Sequence, residues 1–569
     1  MRYLALAADY DGTLAHNGQV DATVVDALSR LQASGRRLIV VTGRQLPDLL
    51  RLFPQARLCD LIVTENGGVL YHPATRTQRP LAPPPPPALI TALKARQVSP
   101  LAVGHVVIAT VADWSATVFD VIHELGLEHQ VISNKGQVMI LPPNVNKGSG
   151  LEIALEELGL SPHNVVAIGD AENDHALLGI AECGVAVADA VPMLRESADV
   201  VTRSTDGAGV VEIIDLLLAD DLASVDPMTR RSLALGTRSN GEVATIPPFG
   251  MNILIAGSSG SGKSTIMTGL VERLIDARYQ VCAIDPEGEY ESLASTVVMG
   301  GCEHPPTLEH VLRLLKQPNH NAAVNLLAVP LAERPNFFAG LSFELAALRE
   351  RTGRPHWIAV DEAHHVLPAW TDPTHPSKLP ALQNTVLATV IPAHVDAAVL
   401  AAIDVFIVCG ERLNETVRSF CEVINIPVPK EVPDRLPLGQ ALVWLCRDGS
   451  RPFIIDVICP RCDHRRHCRK YAQGELDSRR SFFFRGPRGE LQVRAANLTQ
   501  FADLVAQIDD ETWLFHLLRG DVARWFREII RDEELVSETD RAASLTYAAI
   551  AESRTIVRTA IEQRYTRSP

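Results

Sequence analysis

The 10 cysteines of this 569-residue chain are scattered rather than dense or regularly spaced. That excludes a disulfide scaffold and points to a reducing compartment. Long apolar runs are also missing. The best candidate, residues 395–409, is interrupted by Asp396 and Asp404 and cannot span a bilayer. The apolar run at residues 3–8 is too short for a secretory leader and lacks a cleavage pattern. Together these absences predict a cytoplasmic protein with no membrane partner. There is no positive excess either: the net charge is −15 and the pI near 5.7. The chain therefore has no global attraction for nucleic acid, which leaves room only for a local basic patch. No internal repeat of the solenoid kind is present. With 46% hydrophobic and 21% charged residues the chain reads as globular, and it is too long for one core.

Short β-branched or Leu/Val-rich runs recur at 38–41, 61–63, 165–168, 252–256, 281–284 and 357–360, each followed by a helical pattern. This alternation predicts α/β architecture, with parallel sheets covered by helices and active sites at the carboxyl ends of the strands. Three domains are expected. The first spans 1–222, with an inserted cap at about 71–143 that contains the stiff proline tract 83–87. Residues 220–239 read as a polar linker, 235–458 as a second α/β domain, and 459–569 as a mainly helical tail rich in Arg, Glu and aromatics.

The first chemical signal follows the run 4–8. Asp9-Tyr10-Asp11-Gly12-Thr13-Leu14 places two carboxylates two residues apart where a strand ends and the chain turns. One carboxylate can bind a hard cation and attack phosphorus while the other moves a proton. By itself this is also an ordinary Asp/Gly turn. Three further elements follow in order. Thr42, in Val40-Val41-Thr42-Gly43-Arg44, brings a hydroxyl for a phosphoryl oxygen. Lys147, in Asn146-Lys147-Gly148, offsets charge on the transferring group. Gly169-Asp170-Ala171-Glu172-Asn173-Asp174 supplies a strand-end acid cluster suited to Mg²⁺.

On these residues, segment 1–222 resembles the haloacid dehalogenase (HAD) superfamily, in its Cof-type branch. Thr64-Glu65-Asn66-Gly67-Gly68 looks like that branch's Asn-Gly turn. The resemblance implies a Rossmann-like domain with an inserted α/β cap. It implies Asp9 as nucleophile through an aspartyl-phosphate and Asp11 as general acid/base, with Thr42 and Lys147 holding the phosphoryl group. Mg²⁺ would be held by Asp9, Asp170 and the Asp11 main-chain carbonyl, supported by Asp174. Arg44 and Asn173 are candidates for contacting the phosphoryl group or the substrate. Relatives with this aspartate motif and a modest cap act on phosphoglycolate or sugar phosphates. A phosphomutase would use the same two aspartates, and the cap's sequence does not name the leaving group.

The second signal is a P-loop. A buried-strand pattern at 252–256 runs into Gly257-Ser258-Ser259-Gly260-Ser261-Gly262-Lys263-Ser264-Thr265 and then an apolar helical pattern. Gly257, Gly260 and Gly262 free main-chain N–H groups to surround the phosphates of ATP. Lys263 reaches the β/γ-phosphates, and Ser264, with Thr265 beside it, ligates Mg²⁺. A flexible Gly/Ser linker is the plainer alternative, and the flanking strand and helix oppose it. After the strand at 357–360, Asp361 faces the metal and Glu362 can polarise water.

With Asp285-Pro286-Glu287-Gly288-Glu289-Tyr290, these elements give 250–458 a resemblance to the HerA/FtsK-like ATPases, many of which are ring-forming DNA motors. In that comparison Thr389 stands in for the polar sensor, and Arg412 and Arg418 are candidates for a trans-acting finger. His364 and His365 read as structural or sensor residues rather than ligands, and the acidic balance argues against a nucleic-acid channel.

In the tail, Cys459, Cys462 and Cys468 with His464 or His467 could encircle Zn²⁺; the plainer alternative is a basic turn with incidental cysteines. The tail aromatics read as core or interface. Three functions are therefore in competition. The leading one is a phosphatase for a small phosphorylated metabolite, gated by ATP. The others are a motor remodelling nucleic acid or protein with an accessory phosphatase, and a scaffold in which ATP organises a homo-oligomer.

Overall fold

The computed structural model describes residues 1–134, 136–225, 231–258, 260–290, 293–369, 380–447, 450–461, 476, 480–530, 532–545 and 550–562. The chain divides into two compact units, Met1–Arg461 and Cys462–Pro569.

The first unit contains two large sheets. One has eight strands in the spatial order Val200–Val201, Cys183–Ala186, Val165–Gly169, Ala5–Ala8, Arg37–Val41, Leu61–Thr64, Val69–His72 and Thr77–Pro80. The first six are parallel and the last two form an antiparallel hairpin at one edge. Helices cover both faces, which is why Ala5–Ala8 and Val165–Gly169 are buried at every position and read as unbroken apolar runs. Each fully buried Leu, Ile or Val contributes roughly 1.5–3 kcal/mol of transfer free energy.

The cap is a separate four-stranded antiparallel sheet, ordered Ala102–Val103, Ile108–Val111, Gln137–Leu141, Gln130–Asn134, with helices Pro87–Ala95 and Ser115–Glu124. Pro87 opens its helix, where a missing N–H costs nothing, so the proline tract ends on a helix start. The expected cap start near residue 71 falls within the core hairpin. Val69 and Leu70 pair with Thr64 and Val63 across the tight turn, so the chain adds core strands before it leaves for the cap.

The second sheet has eleven strands. Seven are parallel, in the order Val405–Cys409, Asn252–Gly257, Thr385–Thr389, Trp357–Val360, Val281–Asp285, Asn321–Asn325 and Thr296–Met299. Four antiparallel strands extend it: Gln440–Leu445, Phe453–Val457, Leu233–Arg238 and Val243–Ile246. The stretch read as a linker therefore ends in a strand. Leu233 and Leu235 alternate into the core while Gly236–Arg238 pairs with Val457–Ile455.

Among its described residues, the second unit joins the hairpin Phe482–Phe484/Val493–Ala495 to five α-helices and one π-helical turn between Leu498 and Ile561. Its core packs Phe482, Phe484, Phe501, Trp513, Trp525 and Phe526, so these tail aromatics are core residues. Among the described residues no helix is long and apolar enough to cross a membrane.

Candidate active sites

At the carboxyl edge of the first sheet Asp9 and Asp170 converge on one buried point, and Thr42 ends the strand beside that of Asp9. Asp9 follows Ala5–Ala8, Thr42 follows Arg37–Val41, and Asp170 follows Val165–Gly169. Lys147 arrives from the first residue of helix Lys147–Leu158, whose start is fixed by a reciprocal cap between Asn146 and Ser149. Lys147 Nζ donates to Asp9 Oδ1 at 2.6 Å and to Asp174 Oδ1 at 2.7 Å, and all three side chains are buried. Asp174 Oδ2 accepts from the Asp170 and Ala171 amides at 3.0 Å each, and Thr13 Oγ1 donates to Asp170 Oδ1 at 3.1 Å.

Carboxylate oxygens of Asp9, Asp170 and Asp174 lie within 4.8 Å of one another. Three buried carboxylates face one ammonium, so the site is short of positive charge. Burial accordingly drives the Asp9 carboxyl well above its usual pKa, opposed by Lys147 and reinforced by Asp174. Burial would lower Lys147, but the Asp174 and Asp9 carboxylates outweigh it and hold the ammonium protonated. A hard divalent cation, taking oxygen ligands only, fits this donor set.

Asp11 stands apart. Its carboxylate is gripped in a two-point ion pair by Arg44, Nε and Nη2 each donating at 2.6 Å, and it is not among the clustered ligand oxygens. Thr42 is buried, with Oγ1 accepting the Arg44 amide.

The turn after Leu61–Thr64 holds a residue that sequence reasoning passed over. Glu65, Asn66 and Gly67 all have positive φ, and the buried Glu65 carboxylate accepts the amides of His105, Val106 and Val107 from the cap at 2.8–3.0 Å. Glu65 thus ties cap to core. Asn66 Oδ1 accepts from Asn173 Nδ2 at 3.0 Å, joining this turn to the acid cluster. Gly67 sits where a Cβ would lie 2.0 Å from the Asn146 carbonyl oxygen, so only glycine allows the turn to rest on the lysine-bearing helix.

The second sheet builds another site at its own carboxyl edge. The loop after Asn252–Gly257 leads into helix Lys263–Asp276, with Gly260 and Gly262 at positive φ. Lys263 is buried with Nζ on the Ser258 carbonyl at 3.3 Å, and Ser264 Oγ donates to Asp361 Oδ2 at 3.3 Å. Glu362 is buried at φ 38°, beside His364 Nδ1 at 3.6 Å. His364 Nδ1 also lies 3.2 Å from Thr389 Oγ1, which links the intervening strand to the acidic pair. Burial, then the neighbouring His365, lowers His364 to about 4, so it is neutral near pH 7.

Asp285 was singled out only as part of a motif. Its carboxylate accepts the Glu289 and Tyr290 amides at 2.9 Å, and burial raises it to about 6. Tyr290 Oη reaches Asp361 Oδ2 at 3.4 Å. Glu287 and Glu289 flank this turn, and Arg412 is exposed, paired with Glu415 at 3.6 Å. Cys459 is a free thiol; Cys462, Cys468, His464 and His467 of the zinc reading lie outside the described residues.

A polar seam joins the amino-terminal ends of the strands of both sheets. The His163 ring stacks on Tyr279 with centroids 3.7 Å apart, and its Nε2 lies 2.8 Å from the Ala277 carbonyl, at the end of the P-loop helix. Its Nδ1 lies 2.6 Å from Glu182, which also receives Arg2 at 2.6 Å and Tyr279 Oη at 3.1 Å. Burial works to raise the Glu182 carboxyl, but the His163 hydrogen bond and the charges of His163, Arg2 and Arg231 hold it at about 2. His356 Nδ1 accepts the Gln280 amide at 2.7 Å, and Arg354 donates to the Gly159 carbonyl at 2.8 Å.

Comparison with known proteins agrees with this geometry. A model of the haloacid dehalogenase-like hydrolases matches residues 6–105 and 100–214. A phosphoglycolate phosphatase of Methanothermobacter thermautotrophicus is 34% identical over 217 residues, covering 37% of this chain and 96% of the relative. The chain belongs to the haloacid dehalogenase-like hydrolase family. Phosphoglycolate phosphatase 2 of Saccharolobus solfataricus is 29% identical over 228 residues, 38% of this chain and 93% of that protein. Among solved structures, a haloacid dehalogenase-like hydrolase from Bacteroides thetaiotaomicron is 21% identical and covers 38% of this chain and 99% of its own, with a TM-score of 0.34. A model of the central domain of helicase HerA matches residues 249–335. The chain is thus a phosphatase-type hydrolase carrying a HerA-related P-loop domain.

Proposed function

We propose that residues 1–222 form a Mg²⁺-dependent phosphatase for a small phosphorylated carboxylic acid or sugar, of the class named for the phosphoglycolate phosphatases it resembles. Residues 235–458 would form an ATP-hydrolysing module that gates it, with 459–569 as a third domain. The observation that carries the reading is Lys147 bridging Asp9 and Asp174 inside the buried acid cluster.

In this reading Asp9 attacks phosphorus through Oδ2, since Oδ1 is held by Lys147. The P–O bond to the leaving group breaks as Asp11 delivers a proton to its oxygen. Asp11 then removes a proton from the water that hydrolyses the aspartyl-phosphate. For either step Asp11 must be released from Arg44, and an incoming phosphate dianion competes for that guanidinium. Lys147 and Thr42 hold the phosphoryl oxygens. Mg²⁺ on Asp9, Asp170 and Asp174, with the Asp11 carbonyl as a further candidate ligand, would offset their charge. In the second site Lys263 would meet the phosphates, Ser264 and Asp361 would hold Mg²⁺, and Glu362 would polarise the attacking water. Gating is supported by the seam, because the elements that carry Asp170, Lys263 and Asp361 at one end meet the other domain at their opposite ends, through His163 on the Ala277 carbonyl and against the His356 ring.

The test is a reciprocal knockout. Asp9→Asn should abolish Mg²⁺-dependent release of phosphate from 2-phosphoglycolate and p-nitrophenyl phosphate while ATP turnover continues. Glu362→Gln should keep ATP binding and stop turnover. Equal loss of both activities in either variant would refute separate sites. The HerA match favours a second reading, an ATP-driven remodeller of nucleic acid or protein with an accessory phosphatase. ATP turnover stimulated by DNA and indifferent to phosphatase substrate would select it.

A further inference from the structure

Within the second unit, the described residues outline a cavity of about 740 Å³ between the strand–loop at 481–489 and the end of helix Asp510–Leu518. That volume falls within the range of small-ligand pockets, about 300–1,000 Å³. Phe483 and Phe515 are half-buried in its wall. The Arg519 guanidinium lies 4.8 Å from the Phe515 ring centre and that of Arg485 lies 5.8 Å from Phe483. Both arginines are exposed, and among the described residues Arg485 has no carboxylate partner.

The one acid in the wall, Asp521, is already engaged: His516 Nδ1 lies 3.0 Å from it, with Arg519 and Arg524 at 3.8 and 3.7 Å. The floor is prebuilt. Buried His516 accepts the Arg485 amide on Nε2 at 3.0 Å, and the loop closes on itself through Leu491 N–H to Arg485 O at 3.1 Å. The surrounding chain is electrically unlike the rest. Residues 462–569 hold 18 Lys/Arg against 17 Asp/Glu, and only one of the 18 is lysine, in a protein of net charge −15.

We propose that this cavity binds a nucleoside-phosphate unit, its base stacked on the guanidinium and phenyl planes and its phosphate paired with Arg485 and Arg519. Arginine rather than lysine suits this task. Its planar guanidinium gives a stacking face and a two-point phosphate contact, whereas an ammonium gives only charge. Bases stack on aromatic rings and arginine planes whatever their sequence. The unit could come from a free mononucleotide or from a single strand, and the chemistry at the pocket is the same for both.

The test uses the full chain carrying Lys263→Ala, which removes nucleotide binding at the P-loop. Anisotropy of a 5′-fluorescein dT12 strand and of a fluorescent AMP analogue is measured, with unlabelled AMP and inorganic phosphate as competitors. Saturable binding of at least one probe is expected, weakened about tenfold or more by Arg485→Ala with Arg519→Ala. Arg485→Lys with Arg519→Lys should recover only part of it, because charge returns without the plane. Tight binding of the strand with weak AMP competition assigns the unit to single strands; equal competition assigns it to free nucleotide. Binding of neither probe, binding unmoved by the alanine pair, full recovery by the lysine pair, or competition by inorganic phosphate as strong as by AMP would each overturn the proposal.

Discussion

Replacing Glu182 by Gln should disconnect the two domains without disabling either. The carboxylate sits in the seam, receiving Arg2, His163 and Tyr279, and touches neither acid cluster. Its pKa falls from an ordinary 4.5 to about 2 in the folded protein. Two and a half units at 1.36 kcal/mol each is a contribution of about 3 kcal/mol, an order-of-magnitude figure. Because the folded pKa is depressed, that stability is complete above pH 4.5 and drains away as pH falls towards 2. Glutamine cannot carry the charge and leaves Arg2 and His163 facing a neutral group, and breaking a buried pair from one side costs a similar amount, about 3–5 kcal/mol.

The assay is urea inactivation of the full chain at pH 7 and pH 4, following phosphatase and ATP turnover separately, since a multidomain chain need not unfold in one step. Basal rates should stay within about twofold of the parent. The urea midpoints should drop at pH 7 and drop less at pH 4, and the effect of ATP on phosphatase rate should vanish. A variant with the parent's ATP response would refute transmission through the seam. A stability loss that ignores pH would refute its electrostatic origin.

Gly67→Ala should lower stability by about 3 kcal/mol or more, since a Cβ there meets the Asn146 carbonyl at 2.0 Å on backbone of φ 105°; phosphatase should fail before ATP turnover in a thermal ramp. Glu65→Gln should loosen the cap, because hydrogen bonds to a charged group are worth about 1.5–3 kcal/mol. The expected result is a KM for 2-phosphoglycolate raised about tenfold or more, with kcat on p-nitrophenyl phosphate little changed; an unaltered KM would deny that the Glu65 tie between cap and core shapes substrate binding. Ser264→Ala, which removes the hydroxyl resting on Asp361, should abolish Mg²⁺-dependent tightening of ATP binding in calorimetry and leave basal phosphatase activity intact.

Where apolar runs ended in chemically distinctive loops, local sequence carried the fold. The strands read at 38–41, 165–168, 252–256 and 357–360 appear as Arg37–Val41, Val165–Gly169, Asn252–Gly257 and Trp357–Val360. Asp9, Thr42, Lys147 and Asp170 could be picked out for the same reason, since each follows a strand or opens a helix. What stayed hidden depends on partners distant in the chain. Glu65 looked like part of a turn because its three partners are main-chain amides, which have no sequence signature. Arg44 could be marked near the phosphate but not as the clasp of Asp11, a pairing set by loop geometry. Glu182, His163 and Tyr279 are each unremarkable alone; only the docking of the two sheets makes them a cluster.

That docking has a bearing on traffic through the enzyme. His163 and Tyr279 meet just ahead of the strands Val165–Gly169 and Val281–Asp285, so at ~3.3 Å per residue each strand's carboxyl end lies about 16 Å beyond the seam. On the proposed reading, a signal between the two sites has to travel the length of those strands, as a shift of packed elements rather than as a shared ligand.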